Sequence, residues 1–435
     1  MNFNRLKHFR HQIYQSFERG ADAMFNLCDA LLCETTAHSL PELSQSPFFE
    51  RHWSCLYQAL ENGKINEDHL RQAWVEALLE DSPLDEPVWI SVDSSSIARP
   101  EAKTSADRGI IHVANLPRAC KPISVGWQFS TIMLLPEEPG SWVGILDQQR
   151  IATSQTATQV AIAQLRTLVP LLKRSVIILA DRWYATADFL QACQELGCQV
   201  LIRLKRNRKL YRPPVRKTAR GRPPLDGPLF QGTRPETLGG AEAIWESQDE
   251  TGKTITVTRW SGLHVRQARQ LPLTVFRVER EGAKGNKRDP RESWFICLNE
   301  TIPLQHVVKR YQRRFSHEHG YRFLKQDLFW TRVHVRTPEQ FERWSCLLAV
   351  AFNQLVLARE LGQASYRPWE PACRPITPRQ VRRVMGSILR QIGTPAHPCQ
   401  PRGKSPGRAM GFHPQPAKRY EVVVKHPKKV ASASG

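Results

Sequence analysis

Up to about residue 84 the apolar residues recur at helical spacing. "RHQIYQSFERGADAMFNLCDALL" and "NEDHLRQAWVEALLED" each place an apolar stripe on one side of a 3.6-residue period, which predicts helices. "SPLDEP" breaks that pattern with two prolines. From residue 87 the texture becomes that of strands, first "PVWISVD" (87–93), then "KPISVGWQFSTIMLL" and "SWVGILDQQRI". "SQTATQVAIAQLRTLVPLLKR" (154–174) returns to helical spacing behind a serine start signal. "SVIILAD" (175–181) predicts a buried strand, "TADFLQACQELG" a helix closed by Gly197, and "CQVLIRLK" a fifth strand. The predicted order is β-β-β-α-β-α-β, an α/β unit with aspartates at the ends of its first and fourth strands. Ligand and catalytic groups of α/β sheets gather outside the carboxyl ends of strands.

The rest of the chain divides by the same criterion. Residues 206–300 open with a Pro/Arg/Gly-rich linker and continue as alternating strands, "KTITVTRW", "LPLTVFRVER" and "ESWFICLNE", which reads as a β-rich insertion. Helical spacing resumes with "PLQHVVKRYQRRF" and covers 301–362. Residues 363–435 are basic and rich in Pro and Gly, with one predicted helix, "TPRQVRRVMGSILRQIG", having Thr377 as N-cap and Pro378 at its first position.

Composition narrows the function. The hydrophobic share of 41% suits a globular chain of 435 residues, long enough for two or three domains. Lys plus Arg exceed Asp plus Glu by 62 to 41, a net +21 with a pI near 9.9, the footprint of a protein that neutralises phosphates. The longest apolar run, residues 347–358, is too short to span a bilayer and contains Asn353 and Gln354. The basic N-terminus has no apolar core of signal-peptide length. Ten cysteines are scattered without a CxxC pair or zinc-site spacing, so free thiols in a reducing compartment are expected. Together these point to a cytoplasmic protein whose partners carry phosphate.

Asp93 and Asp181 carry the first candidate chemistry. One strand-ending aspartate commonly caps the next turn, but two on neighbouring strands repel unless a cation lies between them. Hard carboxylate oxygens suit Mg²⁺ or Mn²⁺. A two-metal phosphoryl-transfer site needs a further ligand, and Glu318 is the candidate. On a helix turning ~100° per residue, Tyr311, Arg314, Glu318 and Lys325 share a sector about 60° wide, with Arg322 on the same side and Phe315, Phe323 and Leu324 as its buried flank. Acid for metal and cations for phosphate are what cleavage of a DNA backbone requires. Asp107 in a polar loop, Asp188 in a helix first turn and Asp327 off the Glu318 face rank below these acids. His317 and His319 lie about 100° from Glu318 and read as packing or DNA-side groups.

Here the residues resemble a known family. An Asp on strand one, an Asp after strand four and a Glu on the helix after strand five are similar to the RNase H-like core of DDE transposases. Tyr311-x2-Arg314-x3-Glu318-x6-Lys325 resembles the Y-x2-R-x3-E-x6-K signature of one group of bacterial insertion-sequence transposases, and "ADRWYA" resembles that group's second-aspartate motif. The resemblance covers about residues 87–345, with 87–205 and 301–362 as the two parts of an RNase H-like mixed sheet flanked by helices, and the β-rich insertion between them. It implies that Asp93, Asp181 and Glu318 bind metal, two ions of Mg²⁺ or Mn²⁺, and catalyse. It implies too that Arg314 and Lys325 hold transposon-end phosphates and Tyr311 positions the strand; Arg182 and Arg322 join the expected DNA contacts.

"RGRPP" (220–224) resembles an AT-hook, whose arginines, here Arg220 and Arg222, would enter a narrow minor groove. Trp260 has two readings, core packing or stacking on a displaced base as an insertion-domain Trp does in some relatives. The basic tail is either a non-specific DNA grip or a disordered arm. The resulting expectation is a cut-and-paste transposase acting as a dimer on double-stranded DNA, with residues 1–84 recognising the terminal inverted repeats. An RNase H-like nuclease without strand transfer, or a transposase-derived DNA-binding protein that no longer cuts, are the alternatives.

Overall fold

The structure, a computed structural model, describes residues 3–37, 39–113, 122–215, 223–249, 252–286, 290–298, 302–362, 366–370, 375–401, 403 and 407–424. Four main helices form the N-terminal stretch: α1 (Phe3–Gln15), α2 (Ala21–Cys33), α3 (Trp53–Asn62) and α4 (Glu67–Leu79). The α/β unit follows as β1 (Val88–Ala98), β2 (Ile123–Leu134), β3 (Gly144–Ile151), α5 (Ala157–Leu172), β4 (Val176–Ala180), α6 (Ala187–Glu195) and β5 (Gln199–Leu204). A short strand, Gly109–His112, precedes β2 and pairs with its first residues. Helix α5 starts from Thr156, whose side chain forms a capping box with Gln159, and not from the serine two residues earlier.

Strands β4 and β5 run parallel to each other and β4 runs parallel to β1, while β2 and β3 are antiparallel additions on the other side. The apolar runs of β1, β4 and β5 are buried on both faces, as expected of parallel strands covered by helices. Side chains alternate between two cores with the period of two that a strand imposes. Ile90, Val92, Ile178, Ala180, Val200 and Ile202 face α5 and α6 through Leu165, Leu168, Phe189 and Leu190. Ile177, Leu179 and Leu201 face the opposite core.

The β-rich insertion is part of this sheet and not a separate layer. Its strands β6 (Ala243–Gln248), β7 (Thr254–Val265), β8 (Ala268–Arg280) and β9 (Glu292–Leu298) pair successively antiparallel, and β9 pairs antiparallel with β5. The sheet therefore continues from the core straight into the insertion. The remaining helices are α7 (Leu304–Gln312), α8 (Phe315–Gln326), α9 (Pro338–Leu357) and α10 (Pro378–Ile392). Thr377 caps α10 in a capping box with Gln380, with Pro378 in the first turn as the sequence predicts. Among the described residues no helix is long and apolar enough to cross a membrane.

Helix α9 is buried almost all round, from Leu347 to Leu355, and the N-terminal helices and α10 pack on it in one continuous core. Three buried arginines tie these layers together. Arg10 makes a two-pronged pair with Asp29 (2.7 and 2.9 Å), donates to Gln354 Oε1 of α9 (2.6 Å) and to the Gly393 carbonyl after α10 (3.2 Å). Arg382 of α10 donates to the carbonyls of Leu31 and Glu34 at the end of α2 and of Asp327 at the end of α8. Such cations stabilise helix C-termini by satisfying their orphan carbonyls. Arg71 of α4 reaches Asp147 of β3 (3.5 Å), joining the helical layer to the sheet.

Two outcomes follow from these buried charges. Arg10→Met leaves Asp29 unpaired in the core and should cost about 3–5 kcal/mol in chemical denaturation, whereas Arg10→Met with Asp29→Leu should recover most of that loss. Burial pushes the Asp147 carboxyl up from 3.8 to about 6, against the pull of Arg71. A folded pKa above the unfolded one means that the protonated group stabilises the fold below pH 3.8 and that this contribution is lost as pH rises through about 6. Asp147→Asn should therefore flatten the pH dependence of Tm across that interval.

Candidate active site

The last bridged pair between β1 and β4 is Val92 with Ala180. The next residues, Asp93 and Asp181, therefore stand side by side on strands whose spacing is ~4.8 Å. Asp93 is not at the end of its own strand. β1 runs on to Ala98 and Asp93 pairs with Thr131 of β2, so it is β4 that ends there. The difference arises because the polar "DSSS" that follows the apolar run still finds backbone partners on β2. Asp93 is thus rigid, and its carboxylate accepts from the Ser94 N–H (2.8 Å). Asp181 opens a tight turn, accepting from the Arg182 N–H (2.7 Å) on its side chain and from the Tyr184 N–H (2.9 Å) on its carbonyl.

The predicted single helix carrying Tyr311, Arg314, Glu318 and Lys325 is two helices. Between α7 and α8 the hydrogen bonds tighten to i→i+3, from Arg314 to Tyr311, Ser316 to Arg313 and His317 to Arg314. Tyr311 closes α7, Arg314 sits at the break, and Glu318 lies in the first turn of α8. The change of phase turns Tyr311 inward. It is 7% exposed, its ring lies on Phe295 and its hydroxyl donates to the Ala180 carbonyl (3.3 Å). Tyr311 therefore buttresses the end of β4 and does not reach a DNA strand in this conformation; burial pushes its hydroxyl up to about 12.

Helix α8 is pinned along β1. The His317 Nδ1 and Ser91 Oγ lie 2.6 Å apart, Tyr321 donates to the Asp93 carbonyl (2.9 Å), and Lys325 Nζ donates to the Ser96 carbonyl (3.3 Å). Gly320 allows the close approach, because a Cβ there would meet Val143 at 2.8 Å and Met133 at 2.9 Å. Burial, reinforced by Arg314, holds His317 neutral, so it is a packing group, one of the two readings its angle left open. Burial also lowers the Lys325 ammonium, with Asp93 opposing. Ser91, Gly320 and Tyr321 were not singled out from the sequence. The signal was there, since His317, Gly320, Tyr321 and Leu324 form an i, i+3, i+4, i+7 stripe and all are buried.

Arg314 occupies the centre. Its guanidinium donates to Asp93 Oδ2 (2.9 Å) and to Glu318 Oε1 (3.3 Å), and its side chain is only 10% exposed. The expected phosphate ligand is thus engaged with the acids, because a desolvated cluster of carboxylates needs a counter-charge. Burial raises the Asp93 pKa, Arg314 and the Ser94 N–H pull it down, and Asp181 and Glu318 push it up again. Desolvation works against the charge on Arg314, yet Asp93, Asp181 and Glu318 outweigh it and hold the guanidinium above its usual value. The three sequence-nominated acids therefore share one electrostatic field. They fit a divalent cation in donor chemistry, all hard oxygens around a spot that already attracts positive charge. Among the described residues, however, no three His, Cys, Asp or Glu side chains close into a ready ion site, and Arg314 stands between Asp93 and Glu318.

The competing acids are committed elsewhere. Asp107 pairs with Arg150 and Thr153, Asp327 with Arg379 (2.8 Å), and Asp188 lies in the first turn of α6. Arg182 and Arg322 are exposed. Phe315, expected to be buried, is 49% exposed. Trp260 is 3% exposed, stacked on Trp294 with ring centroids 5.8 Å apart and edge-on to Phe230, so it is a core residue and is closed to a DNA base. Arg220 and Arg222 lie outside the described residues.

No curated protein matches the chain. A family model does, that of the DDE superfamily endonuclease, over residues 12–265. The match takes in the end of α1, α2 to α4, β1 to β5 with Asp93 and Asp181, and the first insertion strands, and it stops short of Glu318. Spanning more than half of the sequence, and joined to a mixed sheet flanked by helices with two aspartates level on parallel strands, it identifies the chain as a member of the DDE superfamily endonucleases, enzymes that act on DNA.

Proposed function

We propose that the chain is a transposase that cleaves DNA at the ends of a mobile element and joins those ends to target DNA. The observation that carries this reading is that Asp93 and Asp181 follow the level pair Val92–Ala180 of two parallel strands, with Arg314 bonded to both Asp93 and Glu318 beside them. In the first reaction water adds to a phosphodiester at the element end and the 3′ oxygen leaves, taking a proton to become a hydroxyl. In the second that hydroxyl attacks a phosphodiester of the target. Both are in-line displacements with the same charge distribution, so one site serves both.

Asp93, Asp181 and Glu318 would hold divalent metal, Mg²⁺ or Mn²⁺ and two ions when DNA is present, supplying Lewis-acid polarisation and an activated nucleophile. Asp93 is the fixed member, at 20% side-chain exposure, and Glu318 the adjustable one, at 53%. Arg314 keeps the acids together in the free protein and moves its guanidinium to a phosphate when DNA arrives. Lys325 lies about two helix turns beyond Glu318 and serves the same backbone, with exposed Arg182 and Arg322 extending the contact. The N-terminal helices recognise the inverted repeats, and two chains pair on DNA because two ends must meet.

Two results would test this. Asp93→Asn, Asp181→Asn and Glu318→Gln should each reduce Mg²⁺-dependent cutting and joining of the DNA that flanks the coding sequence by about a thousandfold or more, several kcal/mol of barrier; variants that cut like the parent would mean that the site is elsewhere. Arg314→Gln removes the resident cation. Mn²⁺ titration of the DNA-free protein followed by electron paramagnetic resonance should then show binding about tenfold tighter than in the parent, with unchanged binding counting against the arginine acting as the acids' counter-charge.

A further inference from the structure

The basic C-terminal tail takes no part in the proposed reaction. Its described residues from Pro398 to Arg419 are all exposed, so no apolar surface holds them to the body of the protein. They are nevertheless fixed at both ends. At the near end the His397 N–H donates to Asp22 Oδ1 (2.9 Å) and the His397 carbonyl accepts from Arg51. At the far end the Tyr420 N–H donates to the Lys103 carbonyl (2.9 Å) and the Val423 N–H to the Arg108 carbonyl (2.8 Å). Arg108 is 2% exposed and held by the carbonyls of Arg99 and Pro100, and it donates back to the Tyr420 carbonyl (3.1 Å).

The far anchor is a piece of sheet. Val423 bridges Gly109 in parallel, Gly109 pairs with Gly126, and Gly126 pairs with Ala98, so one row runs from the tail to β1. Without the tail, the short strand Gly109–His112 would present N–H and C=O groups at an open edge. Covering an edge requires no cations, yet the docking stretch is "KRYEVV" (418–423). Lys418 and Arg419 are exposed directly before the anchor, and exposed Lys103 supplies one of the anchor's carbonyls. The Lys418 ammonium is held 5.1 Å from the Tyr420 ring centroid. Position matters as well. Ala98 is five residues along β1 from Asp93 at ~3.3 Å per residue, and the tail lies three strand spacings of ~4.8 Å to the side. The cations therefore stand roughly 20 Å from the acids, about six base pairs of duplex. A duplex of one helical turn held at Asp93 and Asp181 is long enough to reach them.

We infer that the docked tail is a second DNA-backbone site, in which Lys103, Lys418 and Arg419 neutralise phosphates of the duplex that enters the acid cluster. This inference rests on the chain acting on DNA at the Asp93–Asp181 edge, but not on strand transfer.

Two variants of the full chain separate a docked site from a loose basic arm. Tyr420→Pro with Val423→Pro removes both N–H donors of the anchor and keeps every cation. Lys418→Gln with Arg419→Gln removes two cations and keeps the anchor. Amide hydrogen exchange should show residues 419–424 protected in the parent and in the glutamine variant, with their remaining amides open in the proline variant. Each protein is then titrated with a fluorescein-labelled duplex of about 30 base pairs, three helical turns, in Ca²⁺ buffer at several salt concentrations. The slope of log binding constant against log salt should shrink by about 2 in the glutamine variant, because each lost phosphate contact removes ~0.9. It should shrink by at least as much in the proline variant, although that variant has lost no charge. A proline variant with the parent's slope overturns the inference, since the cations would then act from an undocked arm. Parent slopes in both variants overturn it too, leaving the tail as a cover for the sheet edge, as does a parent tail that exchanges like a free peptide. A parent that does not bind the duplex would instead sink the DNA reading itself, a result distinguishable from all of these.

Discussion

Parallel pairing of β1 with β4 sets two aspartates beside each other at a partly buried sheet edge, and that repulsion is the constraint around which the rest is arranged. Neither residue can move away, since Asp93 is held by β2 as well as β4 and Asp181 opens an anchored turn. The free protein meets the constraint with Arg314, whose guanidinium is drawn in between Asp93 and Glu318 despite its desolvation. The acids are kept together by a cation supplied from the chain itself.

Delivering Arg314 to that point dictates how α8 sits. The helix must lie close enough to β1 for Tyr321 and His317 to bond Asp93 and Ser91, and Gly320 gives the clearance. On its other side Phe323 meets Phe352 of α9 edge-on, centroids 5.5 Å apart. Helix α9 is in turn clamped by Arg10 and by the N-terminal helices. The N-terminal layer therefore does structural work for the site whatever DNA it touches. The insertion has a comparable place on the opposite flank, because β9 extends the sheet from β5 and carries Phe295 against Tyr311, which braces the Asp181 strand end.

Much of this was legible along the chain. Apolar runs of strand length ending on aspartates marked β1 and β4, and helical spacing marked α5, α6 and α10, because burial on a regular backbone leaves a periodic trace. Asp93, Asp181 and Glu318 were singled out from residue type and element position, and the structure brings them into one field. Other features left no local trace. The break between α7 and α8 involves residues whose backbone is still helical, so nothing in "YQRRFSHE" announces it. Tyr311 turned inward and Phe315 outward for that reason. Trp260 and Trp183 are the same residue type, yet the one inside β7 is buried against Trp294 and the one in the turn after β4 is open beside Lys205.

By itself the sequence determined the α/β order and the basic character, and it nominated the acids, since these depend on periodicity, composition and residue type. Tertiary structure alone decided that Asp93 and Asp181 are level, that Arg314 bonds Asp93 and Glu318 in the free protein, and that the insertion prolongs the core sheet. Each of these depends on strand register or on which long-range partner wins a desolvated charge. Such choices are settled by the energy of the assembled fold and not by any local stretch of chain.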